Sequence, residues 1–477
     1  MGIVLARLLP PDTFGLIGLA YIVLGFGNVF VNLGMGPALI QRQTLTNRHL
    51  RVAFTLSLSM AVVLAFILAA AAPLCGALLR DPRVVPVLRV LAFGFVISGL
   101  GIVSNALLLR ELAFRKLFYV GLLSMGVQAV VAVSLALTGH GVWSLVWAAL
   151  LQQAVQTAAS YAWAPYSLGV LLSRKETGEL AGFGAGISLS SVCNYVALQG
   201  DYFVVGRLLG TAPLGIYTRV YSLMSIPTTQ VAQALGGVLF PAASRLQDDP
   251  QRLRRAFEYS LSAIGFFTLP TMTLIVVVAP ELIVGVYGPV WAPAIVPLQI
   301  LGGFGAFRSL YSTVANFVRA KGWVYRILAC QIVYGTSVVL GSSVGALSAG
   351  LEGVAVGVGL AILVMWSVMG YYGCRATGVS LTAFVRTLQP GLVMSGVCLV
   401  ACSVTRASLL AARAPALVVF GGASAVAALA CVGAAVLLPR QALLDLPRRL
   451  LRSAESALPQ RMHGPLRLLT RWGRFEG

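Results

Sequence analysis

Apolar residues run along this chain in blocks of about 20, the length a helix needs to cross a hydrocarbon core, separated by short breaks that hold most of the charge. The blocks predict spans near residues 14–36, 52–79, 87–109, 118–139, 142–164, 180–209, 214–240, 257–279, 293–317, 324–347, 353–373, 388–405 and 414–438. Alternating segments of about 10 residues, the mark of a membrane β-barrel, are absent, so the pattern predicts an all-α integral membrane protein.

The pattern also repeats. The stretch LARLLPPDTFGLIGLAY, Leu5 to Tyr21, returns as VGRLLGTAPLGIYTRVY, Val205 to Tyr221, with Arg7, Leu8, Leu9, Gly15 and Tyr21 recurring 200 positions later. Val31, Gly36 and Leu39 keep the same offset, as Val231, Gly236 and Leu239. A period this long predicts a duplicated multi-helix half rather than a solenoid. The second copy follows a long apolar stretch, Leu180 to Val204, whereas the first follows only Met1 to Val4. The expectation is a largely missing first helix, with an upstream start encoding about 20 further apolar residues. Met1 to Leu9 has neither the basic head nor the cleavage site of a signal peptide.

With that helix restored, the spans group as two six-helix lobes and two further helices. The divisions fall at 1–174, 175–375, 376–438 and a basic tail, 439–477. Six is even, so the lobes share an orientation and enclose a midplane cavity between them.

Composition agrees: 58% of residues are hydrophobic and 10% charged, too few charges to cover a water-soluble globule of 477 residues. The net charge of +20 does not indicate a nucleic-acid partner, because the basic residues are dispersed among the apolar blocks. Alternate breaks carry 25 and seven of the Lys and Arg residues, and the positive-inside rule makes the richer side, tail included, cytoplasmic. Arg448, Arg449 and Arg452 beside Leu446, Leu450 and Leu451 suggest either a short amphipathic helix on anionic membrane lipids or a solvated tail. The seven cysteines lie in hydrophobic runs; Cys398 and Cys402, one turn apart with no histidine near, read as packing rather than a metal site.

Five motifs, LARLLPPDTFG, NLGMGPALIQR (Asn32–Arg42), GRLLGTAPLGIY (Gly206–Tyr217), VLFPAASRLQDD (Val238–Asp249) and FRSLY (Phe307–Tyr311), together resemble the polysaccharide-export branch of the MOP flippase superfamily. The likeness is to Wzx-type and colanic-acid-exporter-type proteins and covers nearly the whole chain. It implies a MATE-like fold in the bacterial inner membrane. It also implies a translocase, not an enzyme, moving undecaprenyl-pyrophosphate-linked oligosaccharide by alternating access for O-antigen or exopolysaccharide production. Lipid-linked oligosaccharide, membrane lipids and polymerase or assembly proteins are the implied partners. No cofactor is implied beyond H+ or Na+ coupling.

Charged groups inside spans are costly and usually face the bundle interior, so they are the first transport candidates. Asp201 shares a helical face with Asn194 and Ser190 and reads either as a protonation or cation-coupling site or as a structural partner of Arg207 or Arg219. Arg219, Ser222, Gln230 and Gln233 form a polar stripe in which a guanidinium could hold two phosphate oxygens. Arg7 and Arg207 read as interface residues whose side chains snorkel to the outer surface, with phosphate contact the alternative. Arg308 lies some sixteen residues, about 24 Å, into its span. It either draws anions into a cavity or bonds backbone carbonyls of another helix. Asn28 and Asn32, one turn apart and in line with Tyr21, contact either sugar or neighbouring helices. Pro227 and Pro270 interrupt helices as hinges or as static kinks.

Other signals carry no chemistry. Asp248 and Asp249 before Pro250 read as a loop and helix start, and His49, His140 and His463 are too scattered for catalysis. Gly182 with Gly186, and Gly353 with Gly357, read as small-residue helix packing. Two rivals remain: a multidrug or cation antiporter of the same architecture, and a membrane glycan polymerase or ligase. The latter would need a sizeable outer loop, and the break from Pro280 to Pro293 is short.

Overall fold

The computed structural model describes residues 1–31, 36, 39–40, 45–167, 169–171, 173, 195, 198–246 and 249–437, and among these every regular element is helical. Eight helical segments among the described residues are long and apolar enough to cross a membrane. In chain order the helices are α1 (Gly2–Leu8), α2 (Pro11–Val31), α3 (Asn47–Leu79), α4 (Val84–Leu91), α5 (Phe93–Arg110), α6 (Phe114–Leu137) and α7 (Val142–Trp163). After a helical stretch at 198–208 come α8 (Thr211–Arg245), α9 (Pro250–Val277), α10 (Ile295–Ala320), α11 (Val324–Thr377), α12 (Leu381–Arg386), α13 (Gln389–Ala411) and α14 (Ala416–Leu437). Asn32, Ser190, Asn194, Gly182, Gly186 and the tail 439–477 lie outside the described residues.

Local chemistry sets several helix ends. Thr46 caps α3 through a reciprocal box in which the Thr46 N–H donates to His49 Nδ1 at 3.2 Å, so His49 serves the backbone. Asp249 caps α9 by accepting the Arg252 N–H at 3.0 Å, with Pro250 in the first turn, as the loop-and-start reading expects. The two spans expected at 324–347 and 353–373 are joined through Ala349 and Gly350, whose φ of 59° breaks the helix. Across this break Gly341 faces the Gly357 backbone and Gly345 faces Gly353, so the glycines at 353 and 357 do serve close helix packing.

The chain divides into two compact units, Met1–Thr218 and Arg219–Gly477. The first unit therefore extends past the division expected near 174, and its own packing explains why. A Cβ added at Gly15 would collide with the Thr211 carbonyl oxygen, and one added at Gly215 with the Pro11 carbonyl oxygen. Positions 15 and 215, like 11 and 211, are 200 apart, so the two copies of the repeated motif pack on each other reciprocally, backbone to backbone. The recurrence of glycine at 15 and 215 is a steric requirement of this seam. Gly206 meets Leu19, and the Tyr195 hydroxyl donates to the Ile22 carbonyl at 2.6 Å, tying Tyr195 and the stretch at 198–218 to α2.

In the second unit, α9, α13 and α14 bury Val278, Cys398, Cys402, Ala423 and Ala427 in one apolar cluster. The cysteines there are packing residues, and the Cys398 thiol donates to the Pro270 carbonyl at 3.4 Å.

Candidate functional site

Asp201 is buried at 2% exposure. Its Oδ2 accepts the Tyr217 hydroxyl at 2.7 Å and its Oδ1 accepts the Tyr202 N–H at 2.9 Å. Tyr217 is itself fully buried, and its ring meets Tyr202 edge to face at 5.4 Å. These two hydrogen bonds come from neutral dipoles, a phenol and a backbone amide.

In the second unit Arg308 on α10 donates a hydrogen bond to the Tyr221 hydroxyl of α8, and its guanidinium carbon stands 5.0 Å from the Tyr221 ring centroid. This partner is a side chain on another helix. The ring offers its negative face and its oxygen to the same cation, which holds the guanidinium in one orientation. Arg219 is half-buried within electrostatic reach of the Tyr287 hydroxyl, and Ser222 is exposed. Gln230 and Gln233 lie on α8, with side chains outside the described set.

Of the remaining candidates, Arg7 is exposed, Asn28 is half-buried, and Arg207 is half-buried with its Nη1 enclosed and without a hydrogen-bond partner. That enclosed nitrogen departs from a simple snorkel, which would leave the whole guanidinium in water.

Two charged clusters escaped the sequence reading. At the end of the seam Arg83 Nη1 holds Asp12 Oδ2 at 2.8 Å and its Nη2 holds Asp81 Oδ2 at 2.8 Å. The same Nη2 donates to Thr211 Oγ1 at 3.1 Å, and the Thr211 hydroxyl in turn donates to Asp12. The hydrogen bond from Arg83 draws the Asp12 carboxyl below the usual carboxylate range, against a smaller opposing effect of burial. In the second unit Arg406 Nε donates to Glu281 Oε1 at 2.8 Å, with Glu281 at 6% exposure. Apart from Asp81 with Arg83, two positions away, each pairing joins segments far apart in the chain, which no local spacing reveals.

Two concavities complete the picture. Within the first unit α5 and α7 enclose a cleft of about 150 Å³ whose polar lining is Ser98, Asn105, Gln153, Gln156, Thr157 and Ser160. Their spacing, 98 to 105 and 153–156–157–160, places each set on one helical face, and this is the signal by which they could have been found. Within the second unit α9, α13 and α14 form an apolar groove of about 260 Å³ lined by Phe266, Phe267, Leu274, Met394 and Val432.

A family model described as polysaccharide biosynthesis protein matches residues 4–296. The lipopolysaccharide biosynthesis protein WzxC of Escherichia coli (strain K12) is 26% identical over 327 residues, covering 67% of this chain and 66% of WzxC. The succinoglycan biosynthesis transport protein ExoT of Rhizobium meliloti (strain 1021) is 28% identical over 315 residues, 66% of this chain and 63% of ExoT. The matched part thus spans slightly under two thirds of these relatives' length. Among solved structures, the lipid II flippase MurJ in an inward closed conformation aligns with 94% of this chain and 96% of its own, with a TM-score of 0.74 at 13% identity. An inward-facing multidrug resistance MATE family transporter of the MOP superfamily aligns with 79% of this chain and 93% of its own, with a TM-score of 0.65 at 17% identity. These two likenesses establish the fold, a multi-span helical membrane architecture.

Proposed function

The chain belongs to the polysaccharide biosynthesis protein family, and from that membership we propose that it carries undecaprenyl-pyrophosphate-linked oligosaccharide from the cytoplasmic to the periplasmic leaflet of the bacterial inner membrane. The product feeds assembly of a surface polysaccharide, and polymerase or assembly proteins receive it. The observation that carries this reading is the family match, which runs from the first copy of the repeated motif through the second. WzxC and ExoT, named for lipopolysaccharide biosynthesis and succinoglycan transport, support it.

Movement is by alternating access, with the basic tail on the cytoplasmic side. Buried polar groups at membrane depth persist where they serve transport or hold helices together. In this reading Arg308 attracts the anionic head group and Asp201 is the H+ or Na+ coupling group. The apolar groove of the second unit suits a prenyl chain, which needs no hydrogen bonds.

Deletion of the gene tests the proposal. Lipid-linked glycan should accumulate on the cytoplasmic leaflet, surface polysaccharide should fall, and a plasmid copy should restore both. Unchanged surface polysaccharide, or drug sensitivity as the one phenotype, would replace this reading with the antiporter.

A further inference from the structure

The lining of the α5–α7 cleft has six hydrogen-bonding side chains and no charged residue. Phosphate and carboxylate recognition calls for cations, whereas amides and hydroxyls offer donor and acceptor side by side, as the hydroxyls of a neutral sugar do.

Helix packing alone does not account for these residues. The two helices are already joined by the Thr157 hydroxyl donating to the Ile97 carbonyl at 3.1 Å and the Ser104 hydroxyl donating to the Ala164 carbonyl at 3.1 Å. Gln153 Oε1 is buried without a hydrogen-bond partner, an unsatisfied acceptor in the cleft wall that a side-chain rotation would bring to a ligand hydroxyl. Asn105 and Gln156 are exposed at the rim, where an amide facing hydrocarbon would be unfavourable, so the rim faces water or ligand. At the floor Gly101 lets the two helices approach closely, since a Cβ there would stand 2.7 Å from Thr157 Oγ1.

Size narrows the occupant. A cleft of about 150 Å³ is below the ~300 Å³ at which pockets for drug-sized ligands begin, so it takes one ring and not a chain of them. Asn105 stands five residues from Arg110, about 7.5 Å along the axis from the basic end of α5. We propose that this cleft is a monosaccharide subsite that reads the hydroxyls of one neutral sugar ring on the lipid-linked substrate. The inference rests on the function proposed above and adds a specificity element to it.

The test uses the full chain in lipid nanodiscs and four probes: undecaprenyl pyrophosphate alone, and the same carrier bearing one glucose, galactose or N-acetylglucosamine. At least one sugar-bearing probe should bind about tenfold more tightly than the bare carrier, the scale of one or two well-made hydrogen bonds. Gln153→Leu and Asn105→Leu should each reduce that preference below about twofold while bare-carrier affinity stays unchanged, which also reports that the variant is folded. If Gln153→Leu is not folded, Gln156→Leu at the exposed rim carries the same expectation. Equal binding of all four probes by the unaltered chain, or a preference that survives these substitutions, overturns the subsite and leaves the flippase reading standing. Binding of no probe at all overturns both.

Discussion

The two copies of the repeated motif share a backbone arrangement and differ in what they do with their side chains. Gly15 and Gly215 each press against a carbonyl of the other copy, so the seam is symmetric at the level of main chain. One layer out the symmetry ends. Position 12 is aspartate and engages Arg83, whereas position 212 is alanine. Tyr21 is 46% exposed, whereas Tyr221 is 8% exposed and holds Arg308. The comparison separates two constraints: close packing tolerates only glycine and preserves the repeat, while polar chemistry was free to differ between copies.

The seam itself gives the largest expected effect. Gly15→Val and Gly215→Val each place atoms on a backbone carbonyl, which cannot rotate away, and each should cost about 3 kcal/mol or more by overpacking. Gly121→Ala on α6, where nothing lies within 4 Å, should be neutral or slightly stabilising. Thermal unfolding of the purified protein, with recovery from membranes as a second readout, compares the three. Tolerance of valine at one seam glycine but not the other would show that the packing is not reciprocal.

The second effect concerns Arg308. Export should fall at least about tenfold in Arg308→Ala, roughly 1.4 kcal/mol in transition-state terms, and Arg308→Lys should keep most of it because the charge and the cation–π contact persist. Equal loss of folded protein in both variants would instead assign Arg308 to structure. Asp201→Asn keeps an acceptor for the Tyr217 hydroxyl but cannot ionise, so under the coupling role proposed for Asp201 this variant should export without dependence on H+ or Na+. Full export with the dependence intact would remove Asp201 from coupling.

These sites show where one-dimensional reading ends. The spans were legible because a 20-residue apolar run has one physical meaning: the blocks at 142–164, 388–405 and 414–438 became Val142–Trp163, Gln389–Ala411 and Ala416–Leu437. The break between 347 and 353 was legible from the interruption of the apolar run, and the structure places Gly350 at positive φ there. Partners were not. The sequence offered Arg207 or Arg219 as structural partners of Asp201 and gave no sign of Tyr217, sixteen positions on across a turn, whose hydroxyl Asp201 accepts. Arg308 reaches back 87 positions to Tyr221, and Arg406 reaches 125 to Glu281. Periodicity says which face of a helix is polar but not which helix meets it. The α5–α7 cleft was passed over because serine, threonine and glutamine barely interrupt an apolar run on a hydropathy scale.

A smaller effect sharpens the contrast between the tyrosines. Tyr221→Phe leaves the ring under the Arg308 guanidinium and removes its hydroxyl, and should destabilise the second unit by about 1 kcal/mol. Tyr21→Phe, on an exposed position, should stay within about 0.5 kcal/mol of the parent. Matched melting curves decide the matter. Similar shifts for both would mean that the burial of Tyr221 carries no hydrogen-bond contribution of its own.

The smallest effect separates Asp12 from Ala212. Asp12 and Arg83 are substantially exposed, with side-chain exposures of 39% and 54%, so solvent screening limits the pair to at most about 1 kcal/mol despite its good geometry. The sign follows from the carboxyl being held below its usual range, chiefly by the Arg83 hydrogen bond. The folded state binds this proton less readily than the unfolded chain, so the stabilisation is complete above the unfolded value of about 3.9 and is lost as pH falls through the folded value. The melting-temperature difference between the parent and Asp12→Asn should therefore be small, positive and flat from pH 5 to 8, and should shrink below about pH 4. It should also diminish in high salt, since an exposed pair is screened. A difference that instead changes between pH 6 and 8 would mean that a group other than Asp12 governs the seam. The chemical asymmetry between the two copies would then lie elsewhere than at position 12.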